Sequence, residues 1–181
     1  LPGGAVAGRA DVLDQLDADV AKRNAREKIA HQGTFNANPL SAAAAIATLS
    51  IVEQEDVCER AERAAEAIRA GMRQILVEEQ VPWGIYGDAS AFIIFQNPKN
   101  LPLDPASFNP LQFGFAELKA TRNANLTYRL RVALLANGVD LMGAPGGLVS
   151  ATHGEREVAH TLDAFRTAVR WMKAEGDIAA S

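Results

Sequence analysis

The residues with the clearest potential for chemistry lie between His31 and Leu49. A short polar loop, Gly33 to Ala37, precedes Asn38 and Pro39, and an alanine-rich segment follows. Asn is a favoured helix N-cap and Pro is favoured at the first helical position, so this pair predicts a helix start. Free N–H groups at that start, with the Thr34 hydroxyl just ahead of them, could bind an anion such as a phosphate.

The helix predicted after Pro39 carries a stripe of small and apolar side chains at helical spacing. The stripe consists of Leu40, Ala43, Ala44, Ala47 and Ile51. Small side chains let another backbone approach closely, so we expect this helix to pack tightly against a neighbouring element.

Lysine and cysteine elsewhere offer weaker candidates. A lysine that forms a Schiff base needs a desolvated site. Lys22 and Lys28 lie in a charged run, which favours solvated surface and no catalytic role. Cys58 is expected to pack against neighbours and is assigned no chemistry.

The three histidines likewise give no site. His31, His153 and His160 have no partner at metal-ligand or catalytic-triad spacing, so we predict no metal site. His153 is expected simply to lie where a strand meets a helix.

Composition narrows the class of protein. About half of the 181 residues are hydrophobic, which can build a substantial core, and the net charge of −4 gives no reason to expect nucleic acid or an anionic membrane as a partner. No apolar run reaches the length of a membrane span. The single cysteine excludes an internal disulfide and favours a reducing, cytoplasmic location.

The first half of the chain is predicted to be mainly helical. Apolar spacing predicts a helix over residues 10–20 and another over 55–80, with a charged connector at 21–28. Asp56 and Glu59 have the spacing of a helix start. Glu66 and Arg69 are spaced for an ion pair, as are Glu59 and Arg63, on a face that we expect to be solvated.

Short β-rich runs follow at residues 83–86 and 91–95, and the second is apolar enough to be covered on both faces. Residues 97–110 contain four prolines and predict a loop. Phe108, Phe113 and Phe115 could line a site entrance or could equally anchor this loop on the core.

The remaining elements alternate. We predict a helix over 123–137 ending at Asn137–Gly138, strands at 139–142 and 148–151 joined by a turn at 143–147, and a last helix after Thr152. Its cations, Arg166, Arg170 and Lys173, would interact with the helix dipole. A frayed tail is expected beyond Glu175. The succession indicates an α/β fold.

The sequence Gly-Thr-Phe-x-x-Asn-Pro-Leu-Ser before an alanine-rich helix resembles the class III aminotransferases, pyridoxal-phosphate enzymes of fold type I, and within them the glutamate-1-semialdehyde aminomutase branch. The resemblance implies that Thr34, with Gly33, binds the phosphate of pyridoxal 5'-phosphate held by the other subunit of a homodimer. It also implies a small-molecule amino-group substrate.

The opening run, Leu1 to Arg9, resembles the second half of a glycine-rich segment that follows the Schiff-base lysine in that family. The resemblance therefore implies a C-terminal portion of a longer enzyme, with no catalytic residue in this chain. Residues 1–54 would end the cofactor-binding large domain, 55–175 would form the small C-terminal domain, and 176–181 would be the tail.

Two departures bear on specificity. Many class III aminotransferases carry an arginine near the last strand that grips a substrate carboxylate, whereas residues 146–152 here contain none, which favours the aminomutase-like branch. Asp140 and Gly143 occupy a stretch that is usually more apolar.

Two other classes fit parts of the sequence. A decayed paralogue that only dimerises would need no lysine. An unrelated phosphate- or nucleotide-binding domain would need a Walker or dinucleotide motif, and Gly3, Gly4 and Gly8 are too loosely spaced to supply one.

Overall fold

The computed structural model describes residues 3–31, 33–34, 36–120, 124–141 and 145–178, and for residues 119 and 120 it describes the backbone alone. The described chain divides into two compact units, Leu1–Glu55 and Asp56–Ser181. Among these residues no helix is long and apolar enough to span a membrane.

In the described part of the first unit there are three α-helices: α1 (Ala10–Leu13), α2 (Ala18–Arg23) and α3 (Pro39–Gln54). A short 3-10 helix, Asp14–Leu16, continues α1. The prediction of one helix over 10–20 is wrong, because Asp17 adopts an extended conformation and its carboxylate accepts the N–H groups of Asp19 and Val20. This cap starts a new helix, which occupies part of the predicted connector at 21–28.

The predicted start of α3 is confirmed. The Asn38 side chain accepts the Ser41 N–H at 3.0 Å, and Pro39 occupies the first helical position. The tight packing expected for this helix is not seen among the described residues. α3 buries no residue and leaves Leu40, Ile46 and Leu49 about two-thirds exposed.

The described residues of the second unit form four α-helices and a three-stranded sheet. Its elements are α4 (Val57–Glu78), β1 (Gly84–Tyr86), β2 (Ala91–Phe95), α5 (Phe115–Ala120), α6 (Ala124–Ala136), β3 (Gly146–Leu148) and α7 (Glu155–Ala174), with 3-10 turns at Pro105–Ser107 and Pro110–Gln112. The strands are antiparallel in the order β1-β2-β3, with Ile85 opposite Ile94 and Phe92 opposite Gly147.

One face of the sheet and three helices form the core. The most deeply buried large side chains are Met72, Leu76, Val81, Ile85, Ile94, Leu130, Leu134, Phe165 and Val169. They come from α4, α6, α7, the first two strands and the link between α4 and β1, so the helices predicted over 55–80, over 123–137 and after Thr152 supply most of the core. Gly71 lies against Leu162 so closely that a Cβ there would come within 2.4 Å, which shows how tightly α4 and α7 meet.

The other face of the sheet is covered by the proline-rich loop. Phe108 stacks on Phe95 with ring centroids 5.6 Å apart, and Phe113 contacts both rings. Of the two roles considered for these phenylalanines, anchoring on the core is therefore the one seen for Phe108 and Phe113. Phe115 is 75% exposed and starts α5, which was not predicted.

A buried amide fixes the start of that loop. Asn97 is only 2% exposed; its Nδ2 donates to the carbonyls of Pro82 and Leu101, and its Oδ1 accepts the Leu101 N–H. The side chain therefore replaces the backbone pairing that is lost where β2 ends.

The late strands differ from prediction. Residues 139–141 form no strand, and β3 spans Gly146–Leu148 instead of 148–151. Gly146 lies directly against the Phe92 carbonyl, so a Cβ would come within 2.4 Å, and glycine is what permits this pairing. Met142, Gly143 and Asn123, on which parts of the predictions fall, lie outside the described residues.

The helix caps also differ. Asp56 makes no cap hydrogen bond; it pairs with Arg60 and Arg63, so the expected Glu59–Arg63 pair is replaced. Gly154, not Thr152, caps α7, and the Glu157 carboxylate accepts the Gly154 N–H at 3.0 Å. Helix caps depend on local backbone angles that spacing alone does not specify.

The cations of α7 contact α4 rather than only their own helix end. Arg166 donates to Glu78 at 2.6 Å, Arg170 to Glu79 at 2.7 Å, and Lys173 to the Glu79 carbonyl at 2.6 Å. These bonds join the ends of the two longest helices.

Two surface predictions are also corrected. Cys58 is exposed rather than packed. The expected fraying beyond Glu175 does not hold at Asp177, which pairs with Arg129, or at Ile178, which is 6% exposed in the core. Residues 179–181 lie outside the described part.

Candidate functional site

The predicted phosphate-binding residues lie on an exposed turn. The Asn36 N–H donates to the Gly33 carbonyl at 3.0 Å, which closes the turn around Thr34. Both Gly33 and Thr34 are exposed. A Cβ on Gly33 would lie 2.8 Å from the Asn36 side-chain oxygen, so glycine allows Asn36 to fold back over the turn. Phe35 lies outside the described residues.

The turn leads directly into the N-terminus of α3. The first turn of this 16-residue helix contains no acidic residue, so the partial positive charge of the helix end is not neutralised there. An exposed hydroxyl a few residues ahead of a helix N-terminus without acidic side chains is compatible with phosphate binding.

A groove of about 660 Å³ runs beside this helix start. Its lining includes Gly4, His31, Asn38 and Ser41. Thr34 does not line this groove, but it lies close in sequence to Asn38, which does. His31 and Ser41 were not predicted as site residues, although Ser41 is the last residue of the motif and His31 lies two residues before it.

Three of the lysines are surface or structural residues. Lys22 and Lys28 are exposed, as predicted from their charged surroundings. Lys173 donates to the Glu79 carbonyl and thereby joins two helices. None of these three has the desolvated environment that an amine nucleophile needs.

Two of the three histidines have structural contacts. His153 accepts the Ser150 N–H on Nδ1 at 3.0 Å, at the link between β3 and α7 where it was predicted. His160 lies beside Gly138 at the end of α6. Among the described residues, no three His, Cys, Asp or Glu side chains cluster as metal ligands would.

The second unit has its own groove, of about 670 Å³, between the first turns of α4 and α7. Arg60, Arg63 and His153 border it. Asp56 pairs with both arginines, at 3.2 and 2.9 Å, and the Arg63 hydrogen bond holds the pKa of the Asp56 carboxyl below its usual value. Both arginines at this groove are therefore already paired with a carboxylate of the same chain.

The family model of the class III aminotransferases matches residues 1–101. Glutamate-1-semialdehyde 2,1-aminomutase of Methanosarcina acetivorans is 28% identical over 167 residues, covering 91% of this chain and 35% of that protein. The enzyme of the same name from Sulfolobus acidocaldarius is 43% identical over 68 residues, 38% of this chain and 14% of that protein.

Solved structures agree on the fold. A transaminase with PLP bound superposes with a TM-score of 0.71 at 27% identity, covering 94% of this chain and 35% of that one. An omega-transaminase from Sphaerobacter thermophilus gives a TM-score of 0.63 at 28% identity, covering 90% and 34%. The α/β fold of the transaminases is thus confirmed, and the chain spans about a third of the length of the curated relatives it matches.

Proposed function

Because the chain belongs to the class III aminotransferase family, we propose that it works as part of a pyridoxal-phosphate-dependent aminotransferase or aminomutase acting on an amino acid or amino aldehyde. The observation that carries the proposal is the exposed position of Thr34, one turn ahead of the N-terminus of α3. A phosphate needs accessible donors, and a buried Thr34 would have argued against this role.

Residues of this chain fit the phosphate of the cofactor. The Thr34 hydroxyl would donate to a phosphate oxygen, and the Gly33 backbone would lie close beside it because glycine has no side chain to interfere. When bound, pyridoxal phosphate supplies an electron sink for proton removal at the substrate carbon. The contribution of this chain is to hold and orient that group.

The phosphate site is proposed to be shared between the subunits of a homodimer. The exposed apolar side chains of α3, among them Leu40, Ile46 and Leu49, support a role for this unit in contacts beyond its own residues. A site that takes Thr34 from one subunit and the rest from another requires a symmetric, isologous arrangement. Residues 1–54 would then be the end of the large domain and 55–175 the small domain.

We assign no catalytic residue to this chain. The described lysines that could be considered are either exposed, as Lys22 and Lys28 are, or engaged in joining helices, as Lys173 is. Between transaminase and aminomutase chemistry, the absence of arginine from residues 146–152 favours the aminomutase-like substrate class.

The test compares three variants of the complete protein that contains this chain. Thr34→Ala should weaken cofactor binding by about tenfold or more, because a hydrogen bond to a charged group is worth about 1.5–3 kcal/mol. Thr34→Ser keeps the hydroxyl and should retain binding. Thr48→Ala is the matched control, since the exposed Thr48 hydroxyl only donates to the Ala44 carbonyl within α3.

Cofactor uptake is followed by visible absorbance, and assembly by light scattering. Unchanged affinity in Thr34→Ala, with the dimer intact, would refute the phosphate role. A dimer that takes up no cofactor in any form would instead identify a non-catalytic dimerising module.

A further inference from the structure

The Asn137–Gly138 pair at the end of α6 has no part in the proposed function. It is the only Asn-Gly pair in the 181-residue sequence. We propose that Asn137 is a site of spontaneous modification, where its side-chain amide becomes a carboxylate through attack by the backbone nitrogen of Gly138.

The local geometry explains why glycine occupies position 138. Its φ of +83° lies in the left-handed region, and a Cβ there would come within 3.0 Å of Nε2 of His160. A glycine that closes a helix in this conformation is therefore required by the fold. The same missing side chain leaves its backbone nitrogen unhindered, so it can reach the carbonyl carbon of the preceding side chain.

The reaction needs only water. The Gly138 nitrogen gives up its proton and forms a bond to Cγ of Asn137; the bond from Cγ to the amide nitrogen breaks, and that nitrogen leaves as ammonia. The result is a five-membered cyclic imide. Water then opens the ring at either carbonyl, giving aspartate or isoaspartate, with no change of oxidation state.

In the folded chain both reacting groups are held. The Asn137 side-chain amide donates to the Ala133 carbonyl at 2.8 Å, and the Gly138 N–H donates to the Leu135 carbonyl at 3.0 Å. Both hydrogen bonds must break before the nitrogen can attack. Local opening of the last turn of α6 therefore controls the rate, since helix ends open far more often than whole domains unfold.

The product fits the helix end poorly. A carboxylate at position 137 cannot donate to the Ala133 carbonyl, and its charge opposes the negative end of the helix dipole. The residues after Gly138 are held by the end of α6. The Val139 N–H donates to the Leu134 carbonyl, and Leu141 is buried. Modification should therefore loosen the residues that directly follow α6, up to Leu141.

The experiment ages the purified chain at mildly alkaline pH and maps its peptides by mass spectrometry, with aspartate and isoaspartate separated by chromatography. Conversion is expected at position 137 ahead of Asn24 and Asn100, which precede larger residues. It should be at least about tenfold faster in urea, where the helix end is open. An Asn137→Gln variant, whose longer side chain disfavours ring closure, should gain no mass in this peptide.

Two results would overturn the proposal: a folded chain in which Asn137 stays intact while Asn24 or Asn100 converts, or equal rates in urea and in buffer. Because cofactor binding is not involved, either result leaves the proposed function untouched.

Discussion

The guanidinium of Arg69 donates a hydrogen bond of 2.6 Å to the backbone carbonyl of Ala91. The same group donates to the Ala89 carbonyl at 3.0 Å and pairs with Glu66 at 2.8 Å. Its side chain is only 8% exposed. Arg69 thus ties α4 to the hairpin between β1 and β2, and the face expected to be solvated contains a buried cation.

Replacing Arg69 should destabilise the second unit strongly. Arg69→Met leaves two carbonyls and the Glu66 carboxylate without their donor, so we expect a loss of about 2–4 kcal/mol in the free energy of unfolding. Urea titration followed by circular dichroism measures it. Arg63→Met is the matched control on the same helix, and should cost less than about 1 kcal/mol because its pair with Asp56 is exposed. Equal effects would contradict the structural role of Arg69.

Gly84 and Phe108 offer a test of the loop that covers the sheet. A Cβ on Gly84 would lie 2.5 Å from the Phe108 ring, so Gly84→Ala should force the ring away and cost about 1–3 kcal/mol. Gly3→Ala, with no atom within 4 Å of its Cβ, should be close to neutral. The double variant Gly84→Ala/Phe108→Leu should lose less than the sum of its single changes; simple additivity would show that the two residues are not in contact.

The ion pairs between α4 and α7 should make stability depend on acid pH. Hydrogen bonds from Gln74 and then Arg166 lower the pKa of the Glu78 carboxyl below its ordinary value of 4.5. A folded-state pKa below the unfolded value means that the ionised form favours the fold. Its contribution is complete above about pH 4.5 and disappears as the pH falls through the lower folded value.

Glu78→Gln should therefore lower stability at neutral pH while flattening the decline below pH 4.5. Melting temperatures measured between neutral and strongly acid pH check this, and added salt should reduce the difference. A variant whose acid decline matches that of the unmodified chain would show that the pair with Arg166 contributes nothing.

Ile178 tests whether the end of the chain is part of the core. Ile178→Ala removes a side chain that is 6% exposed and should cost about 2–4 kcal/mol. Leu111→Ala, at a position that is 90% exposed, should change the unfolding midpoint little. A tail that frays would give the same small effect in both variants.

Helix and strand periodicity predicted the structural features that are set by residues close to one another in sequence. The helix predicted over 55–80 forms as α4 and buries apolar side chains spaced from Ala61 to Ile75, the first two strands lie in the predicted ranges, and Asn38 caps α3. Periodicity missed the break at Asp17, where a single side chain caps a new helix and the apolar spacing continues regardless.

The sequence likewise indicated only part of the candidate site. Thr34 and Gly33 follow from a short motif, and their phosphate-binding role stays a prediction. Neither His31 nor Ser41 was assigned a role from the sequence, although both line the groove at the start of α3. A groove arises when separate segments of backbone converge, and residue type alone does not reveal which segments do so.

The sequence by itself determined the family resemblance, the capped start of α3 and the presence of the long helices α4 and α7, because capping and apolar period act over a few residues. Tertiary structure alone decided that Arg69 is buried against the hairpin, that Phe108 fills the space above Gly84, and that Arg170 reaches Glu79 rather than solvent. Those contacts join residues about 20 to 90 positions apart, where the energy of a pair depends on how two surfaces meet.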